Sequence, residues 1–217
     1  MRQRLTLLGY TVGWSAVRTL PEATAYRLFR LVADTAWRRQ GRSVRRLEGN
    51  LARVLGVPAD DPRVRELSRA GMRSYFRYWC DTFRLPDWDE RRVVDSVRVE
   101  NAELLFDTLA AGRGVIAALP HMGNWDHAGA WATYVGAPVT TVAERLEPEE
   151  LYERFVAYRE SLGMELRPLT GGDRDVFRTL LHRARQARLA PLLADRDLTA
   201  GGTRVDFFRA TASMPSG

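Results

Sequence analysis

Apolar residues over the first 98 positions recur at the spacing of amphipathic helices. After Pro21, a residue suited to the first turn of a helix, apolar side chains return every three or four positions. A second helix is predicted to start near Ser43 and to end at Gly56. The acidic pair before Pro62 marks the start of a third, aromatic-rich helix that ends near Pro86. The pattern therefore predicts a helical N-terminal region.

From residue 99 onward, short apolar runs alternate with helical patterns. The run Val115–Leu119 is apolar throughout, which is typical of a strand that is buried on both faces of a parallel sheet. Further strands are predicted at residues 138–143, 164–166, 190–194 and 205–208. This alternation predicts an α/β fold with a mainly parallel central sheet flanked by helices, together with a basic, helical N-terminal layer.

The charge is divided between the same two regions. Residues 1–98 carry 20 Arg and 11 acidic residues, a net charge of +9, whereas residues 99–217 carry 13 Arg and 16 acidic residues, a net charge of −3. A basic region favours an anionic partner, either the phosphate backbone of nucleic acid or anionic lipid headgroups. Composition alone leaves both partners open.

An uncharged run from Leu5 to Val17 lies near the N-terminus, between Arg4 and Arg18. It is shorter than the ~20 apolar residues that a membrane-spanning helix needs. With Trp14 at headgroup depth, the run suits a segment that lies at the membrane interface. A helix packed on the core of its own domain is the alternative.

Polar side chains directly follow three of the predicted strands. His121 follows the first strand, Glu144 follows the second, and Asp195 follows the strand at residues 190–194. Ligands of open parallel sheets bind beyond the carboxyl ends of the strands. These three side chains are therefore candidates for one site.

The segment His121–His127 holds the sharpest candidate chemistry. Gly123 permits a tight turn, which could return Asp126 to one imidazole nitrogen of His121. That contact would leave the other nitrogen to take a proton from an attacking hydroxyl. The alternative is a histidine that satisfies a buried turn, with Asp126 as the cap of the following helix. Spacing alone does not decide between them.

The distribution of metal-ligating residues argues against a metal site. The chain contains three histidines and a single cysteine, Cys80, which also excludes a disulfide framework. Met122 and Asn124 occupy positions where a hydrolase with paired zinc ions would carry histidines. We therefore expect no metal.

Several segments, in order, resemble one protein family. The run from His121 to Asp126 resembles the His-x4-Asp/Glu signature of the bacterial late lipid A acyltransferase family. Its extension to Trp131 is most similar to the actinobacterial branch, the phosphatidylinositol mannoside acyltransferases. Further similar segments are Arg45–Leu51, Arg69–Trp79, Arg159–Pro168, Leu192–Leu198 and Val205–Phe208. Family members continue beyond Gly217, so a C-terminal truncation is expected, and Arg209 stands where a glycine often follows the paired phenylalanines.

The resemblance implies an enzyme that uses acyl-CoA as co-substrate and needs no cofactor. It would move a fatty acyl group, palmitoyl, to the 6-hydroxyl of the mannose on the inositol 2-position of a phosphatidylinositol mannoside. His121 would be the general base and Asp126 its orienting partner. The substrate-binding residues implied by the resemblance are Glu144, Arg159 and Asp195.

The resemblance also implies a place in the cell. Residues 99–217 would form the catalytic region, and residues 1–98 would dock on the anionic surface of the inner membrane at its cytoplasmic face, as in a peripheral protein. No recognised nucleic-acid motif is present, so nucleic acid is not expected as a partner. The alternatives are acylation of another glycolipid, such as a lipid A precursor, and a truncated membrane-binding remnant without catalysis.

Overall fold

The computed structural model describes residues 13–143, 148–168, 176–197 and 201–215. These residues fall into two compact units, one of residues 85–195 and one of residues 13–84 and 196–215. The functional division between residues 98 and 99 stays a prediction. No helix within the described residues combines the length and the apolar character that crossing a membrane requires.

The unit that contains residues 13–84 is helical over that range. Its helices are α1 (residues 13–19), α2 (Glu22–Arg38), α3 (Arg42–Leu55) and α4 (Pro62–Arg84). Pro21 precedes α2, and Gly56 ends α3 in a left-handed conformation with φ of +66°. At the start of α4, Asp61 accepts a hydrogen bond from the backbone N–H of Arg63 at 2.8 Å. The predicted helices are confirmed, and the local end signals place them.

A buried carboxylate joins α2 to α4. Asp34 is 7% exposed and accepts paired hydrogen bonds from Arg73, both at 2.7 Å, and from Arg69, both at 3.0 Å. The hydrogen bonds from Arg73 and then Arg69 hold the pKa of the Asp34 carboxyl well below its usual range. Ser68 of α4 donates to Glu48 of α3 at 3.0 Å, which ties the third helix to the same pair.

The same unit contains an antiparallel hairpin formed by β5 (Thr203–Phe207) and β6 (Ala210–Met214). The first four strands of the chain belong to the unit of residues 85–195. The sequence predicted only residues 205–208 as a strand and missed β6. The turn residues Phe208 and Arg209 have φ of +48° and +59°, a conformation that glycine or asparagine usually occupies in two-residue hairpins.

The unit of residues 85–195 is a mixed α/β unit. It consists of a 3-10 turn (Leu85–Asp87), α5 (Glu90–Asp95), α6 (Ala102–Ala110), β1 (Val115–Leu119), α7 (Trp125–Tyr134), β2 (Thr140–Ala143), α8 (Glu149–Ser161), β3 (Glu165–Pro168), α9 (Val176–Ala184) and β4 (Leu189–Leu193). β1 pairs with β4 and β2 pairs with β3, both in parallel. The predicted α/β class is confirmed, including the parallel strand pairing, whereas the short helix α5 was not predicted.

The prediction that β1 is buried on both faces is wrong. Its residues alternate between partly buried and exposed, and Ile116 is 61% exposed. Successive side chains of a strand point to opposite faces. One face of β1 is covered, and the face that carries Ile116 and Ala118 is exposed among the described residues.

Replacement of Asp34 by alanine is expected to lower the free energy of unfolding by about 2 kcal/mol, because two arginines lose their common acceptor. The pKa of Asp34 is lowered in the folded state, so its stabilisation is full above the ordinary pKa of about 3.9 and is lost as the pH falls below it. Urea unfolding at neutral pH and at acid pH measures the difference. The exposed Asp60→Ala is the matched control, and an equal loss at both sites would contradict the prediction.

Replacement of Arg209 by glycine is expected to stabilise the hairpin by about 1 kcal/mol, because glycine adopts positive φ without a steric cost. Arg204→Gly within β5 removes the same side chain from an extended position and is expected to destabilise. The midpoint temperatures of thermal unfolding of the two variants should therefore shift in opposite directions from that of the parent. A shift in the same direction would show that charge, not backbone conformation, controls the change.

Candidate active site

The turn between β1 and α7 is stabilised by its own backbone and by one side chain. The N–H of Met122 donates to the carbonyl of Pro120 at 2.7 Å, and Gly123 has φ of +67°. Asn124 caps α7, because its Oδ1 accepts a hydrogen bond from the N–H of His127 at 3.0 Å. The turn therefore holds His121 at the carboxyl end of β1.

His121 forms a pair with Asp195. Leu119 and Leu193, the last residues of β1 and β4, are register partners, so the residues two positions beyond each strand are brought together. Nδ1 of His121 lies 2.5 Å from Oδ1 of Asp195. The ring of Trp125 meets the imidazole edge to face, with 5.9 Å between the ring centroids. The imidazole is thus held from two sides.

The electrostatics of the pair define its protonation. Burial is the largest single effect on the Asp195 carboxyl and by itself would raise its pKa. The hydrogen bonds from the side chain and backbone of His121 and from the backbone of Asp195 together outweigh burial, so the pKa is lowered. Asp195 is therefore ionised at neutral pH and acts as an acceptor, so Nδ1 of His121 carries the proton. In the neutral imidazole, Nε2 is then the nitrogen with the available lone pair, as a general base requires.

Asp126 makes a different contact from the one predicted. It is 2% exposed in the first turn of α7, and its Oδ1 accepts a hydrogen bond from Nε of Arg159 in α8 at 2.7 Å. The sequence motif predicts that Asp126 orients His121, but the structure pairs the imidazole with Asp195 instead. The physical reason is the adjacency of β1 and β4, which brings a carboxylate from a distant segment to Nδ1.

The predicted site residues are thus distributed over two contacts. Asp195 pairs with His121, and Arg159 pairs with Asp126. Glu144 lies outside the described residues. The strand-end pattern had already placed His121 and Asp195 in one candidate set, but their direct contact follows from the strand order, which the sequence did not reveal. The catalytic and binding roles of these residues stay predictions.

An apolar cavity of about 240 Å³ lies between the strands and α7. Its walls come mainly from apolar residues of β1, β4 and α7, and its polar lining residues are Asp126, Arg159 and Thr141. Leu119 and Leu193, the last residues of β1 and β4, line it together with Trp125, whose ring contacts His121. The sequence gives no signal for this cavity, because its walls come from elements that are distant along the chain.

The second histidine of the segment has a structural contact. Nε2 of His127 lies 3.0 Å from the carbonyl oxygen of Val93 and 3.3 Å from Oγ of Ser96, and its ring meets Trp88 edge to face. These contacts join α5 to α7. Within the described ranges, no group of three metal-ligating side chains comes together.

Comparison with known proteins identifies the family. The chain matches the bacterial lipid A biosynthesis acyltransferase family over residues 2–217, and it belongs to that family. It is 49% identical over 215 residues to the phosphatidylinositol mannoside acyltransferase of Mycolicibacterium smegmatis, covering 99% of this chain and 69% of the relative. It is 47% identical over 214 residues to a protein of the same name from Mycobacterium tuberculosis, covering 96% and 66% respectively. The family predicted from the ordered motifs is confirmed, and the chain spans about two thirds of the length of these relatives.

Replacement of Asn124 by alanine is expected to lower the free energy of unfolding by about 1 kcal/mol, because α7 loses the acceptor that caps it. Asn124→Ser keeps an oxygen at the cap and should recover most of the loss. The midpoints of urea unfolding compare the two variants with the parent. Equal midpoints for alanine and serine would show that the cap does not stabilise the turn.

Proposed function

We propose that this chain transfers a fatty acyl group from a thioester donor to a hydroxyl of a phosphatidylinositol mannoside. The observation that carries the proposal is the His121–Asp195 pair beside an apolar cavity. The acceptor class is supported by relatives at 47–49% identity that are named phosphatidylinositol mannoside acyltransferases. In the specific reaction that we propose, the donor is palmitoyl-CoA and the acceptor is the 6-hydroxyl of the mannose on the inositol 2-position.

In this proposal His121 is the general base. Nε2 takes the proton of the acceptor hydroxyl as its oxygen attacks the thioester carbonyl, and the ionised Asp195 stabilises the imidazolium that forms. When the carbon–sulfur bond breaks, the imidazolium returns the proton to the departing CoA sulfur. A positioned base of this kind contributes about 10²–10⁴-fold in rate.

The cavity and Arg159 serve the donor. The apolar walls suit a fatty acyl chain, because burying its methylene groups removes apolar surface from water. The guanidinium of Arg159 lies at the cavity wall and is fixed by Asp126, so it can stabilise negative charge that develops on the thioester oxygen. The backbone N–H of Gly123 is a further candidate donor to that oxygen.

We also infer that the two strand pairs form one central sheet flanked by helices. A parallel bridge joins Val139 to Leu189, and the N–H of Leu189 donates to the carbonyl of Pro138 at 2.9 Å. Thr141 of β2 also donates to the carbonyl of Pro191 in β4 at 2.7 Å. β4 then lies between β1 and β2, and His121 and Asp195 stand at the carboxyl edge of the sheet, where such folds bind ligands.

The helical unit is proposed to dock on anionic lipid at the cytoplasmic face of the inner membrane. Its exposed arginines at the end of α2 and the start of α3 are Arg38, Arg39, Arg42, Arg45 and Arg46. Basic residues close to an anionic membrane contribute ~1 kcal/mol each. Exposed Leu28, Leu31 and Val32 on α2 supply apolar side chains that can enter the interface.

The function is tested by mass spectrometry of purified phosphatidylinositol mannoside incubated with palmitoyl-CoA. The parent chain should yield a singly acylated product, and His121→Ala should form that product about 10²–10⁴-fold more slowly because the base is lost. Matching thermal unfolding curves would show that the variant is folded. Unchanged turnover in His121→Ala would exclude this residue as the base, and a folded parent without product would contradict the proposed reaction for this chain.

The identity of the histidine's partner is tested separately. Asp195→Asn is expected to lower kcat by about a hundredfold or more, because the amide stabilises neither the Nδ1–H tautomer nor the imidazolium. Asp126→Asn should cost less in kcat, because its contact is to Arg159. The reverse order of the two effects would restore Asp126 as the partner of His121.

A further inference from the structure

Met164 and Gly129, which both line the apolar cavity, lie against each other. Met164 lies directly before β3, is 6% exposed and lines the cavity. Gly129 lies in α7 opposite it, and a Cβ atom at position 129 would stand 2.4 Å from Sδ of Met164 and 3.3 Å from its Cε. The methionine side chain therefore fills the space that a side chain at position 129 would need.

The contact between Met164 and Gly129 lies toward the opposite end of the strands from His121. Leu119 and Leu193 line the cavity at the carboxyl ends of β1 and β4, whereas Leu189 lines it at the amino end of β4. Leu189 and Leu193 are four residues apart, about 13 Å along an extended strand. Met164 belongs to the Leu189 end, because the next residue, Glu165, donates its N–H to Val139, which bridges Leu189.

We propose that Met164, which packs against Gly129, sets the length of the acyl group that this protein accepts. This inference rests on the proposed function. An acyl chain whose carbonyl lies beside Nε2 of His121 directs its methyl end toward Met164. A longer acyl chain must displace the Met164 side chain, whereas a shorter one leaves part of the cavity empty. Either mismatch reduces the apolar contact between the acyl chain and the cavity walls.

The expected size of the effect follows from the apolar walls. One methylene more or less in a hydrophobic pocket changes the relative kcat/KM by about 10–200-fold. Methionine is unbranched and adaptable, so it can fill this part of the cavity closely while Gly129 leaves it room. Substitutions at positions 164 and 129 should therefore shift the preferred acyl-chain length in opposite directions.

Two substitutions test these directions. Met164→Ala enlarges the cavity where Met164 lines it and should raise transfer of arachidoyl over palmitoyl groups by at least about tenfold. Gly129→Ala adds a Cβ against Sδ of Met164, pushes that side chain into the cavity, and should raise lauroyl over palmitoyl transfer by a similar factor. Met164→Val is a milder truncation that keeps the test available if alanine prevents folding. Leu104→Ala on α6 is the control, because Leu104 is 70% exposed and does not line the cavity.

The measurement is a competition among lauroyl-, palmitoyl- and arachidoyl-CoA for one acceptor, with products resolved by mass spectrometry. Binding of the same three thioesters is followed in parallel by tryptophan fluorescence, since Trp125 and Trp131 both line the cavity. Opposite shifts in chain length for the variants at positions 164 and 129, with the control unchanged, would support the proposal.

The two readouts separate this inference from the proposed function. Transfer by the parent with identical chain-length profiles in all folded variants would overturn the role of Met164 and leave the function standing. Opposite shifts in binding without any transfer would support the chain-length role and contradict the acyltransferase reaction. Chain-length profiles that are unchanged in both binding and transfer would overturn the inference outright.

Discussion

The parallel pairing of β1 with β4 is the interaction on which the candidate site depends. It sets Leu119 beside Leu193 and thereby places His121 and Asp195, which are 74 positions apart in the chain, within hydrogen-bonding distance. The same two strands supply walls of the apolar cavity. A single register therefore fixes both a candidate proton acceptor and a candidate place for an acyl chain.

The two carboxylates near the turn have separate partners. Asp195 holds the imidazole, and Asp126 holds the guanidinium of Arg159 at the wall of the cavity. An arginine beside apolar walls is stabilised by a fixed anion, since an isolated charge in such surroundings is costly. Each ionised group can thus keep its orientation while the cavity between the strands and α7 stays largely apolar.

Local signals account for the parts of the fold that the sequence predicted well. Pro21, Gly56 and Asp61 act within a turn of the helix ends that they mark, so their effects do not depend on distant segments. The hairpin strand β6 was missed because Phe208 and Arg209 are not residues that usually form a two-residue turn. The exposure of Ile116 was not predicted, because the apolar character of a strand does not show which of its faces another element covers.

The sequence by itself determined the family, most of the helices, the main strands and the candidate set of His121, Asp126, Arg159 and Asp195. Those features follow from contiguous motifs and from hydrophobic periodicity, which can be identified without knowing which residues are close in space. Tertiary structure alone decided that Asp195 contacts His121, that Asp126 contacts Arg159, and that Met164 packs against Gly129. These contacts join segments far apart in the chain, and strand order and helix packing, which bring them together, leave no local trace in the sequence.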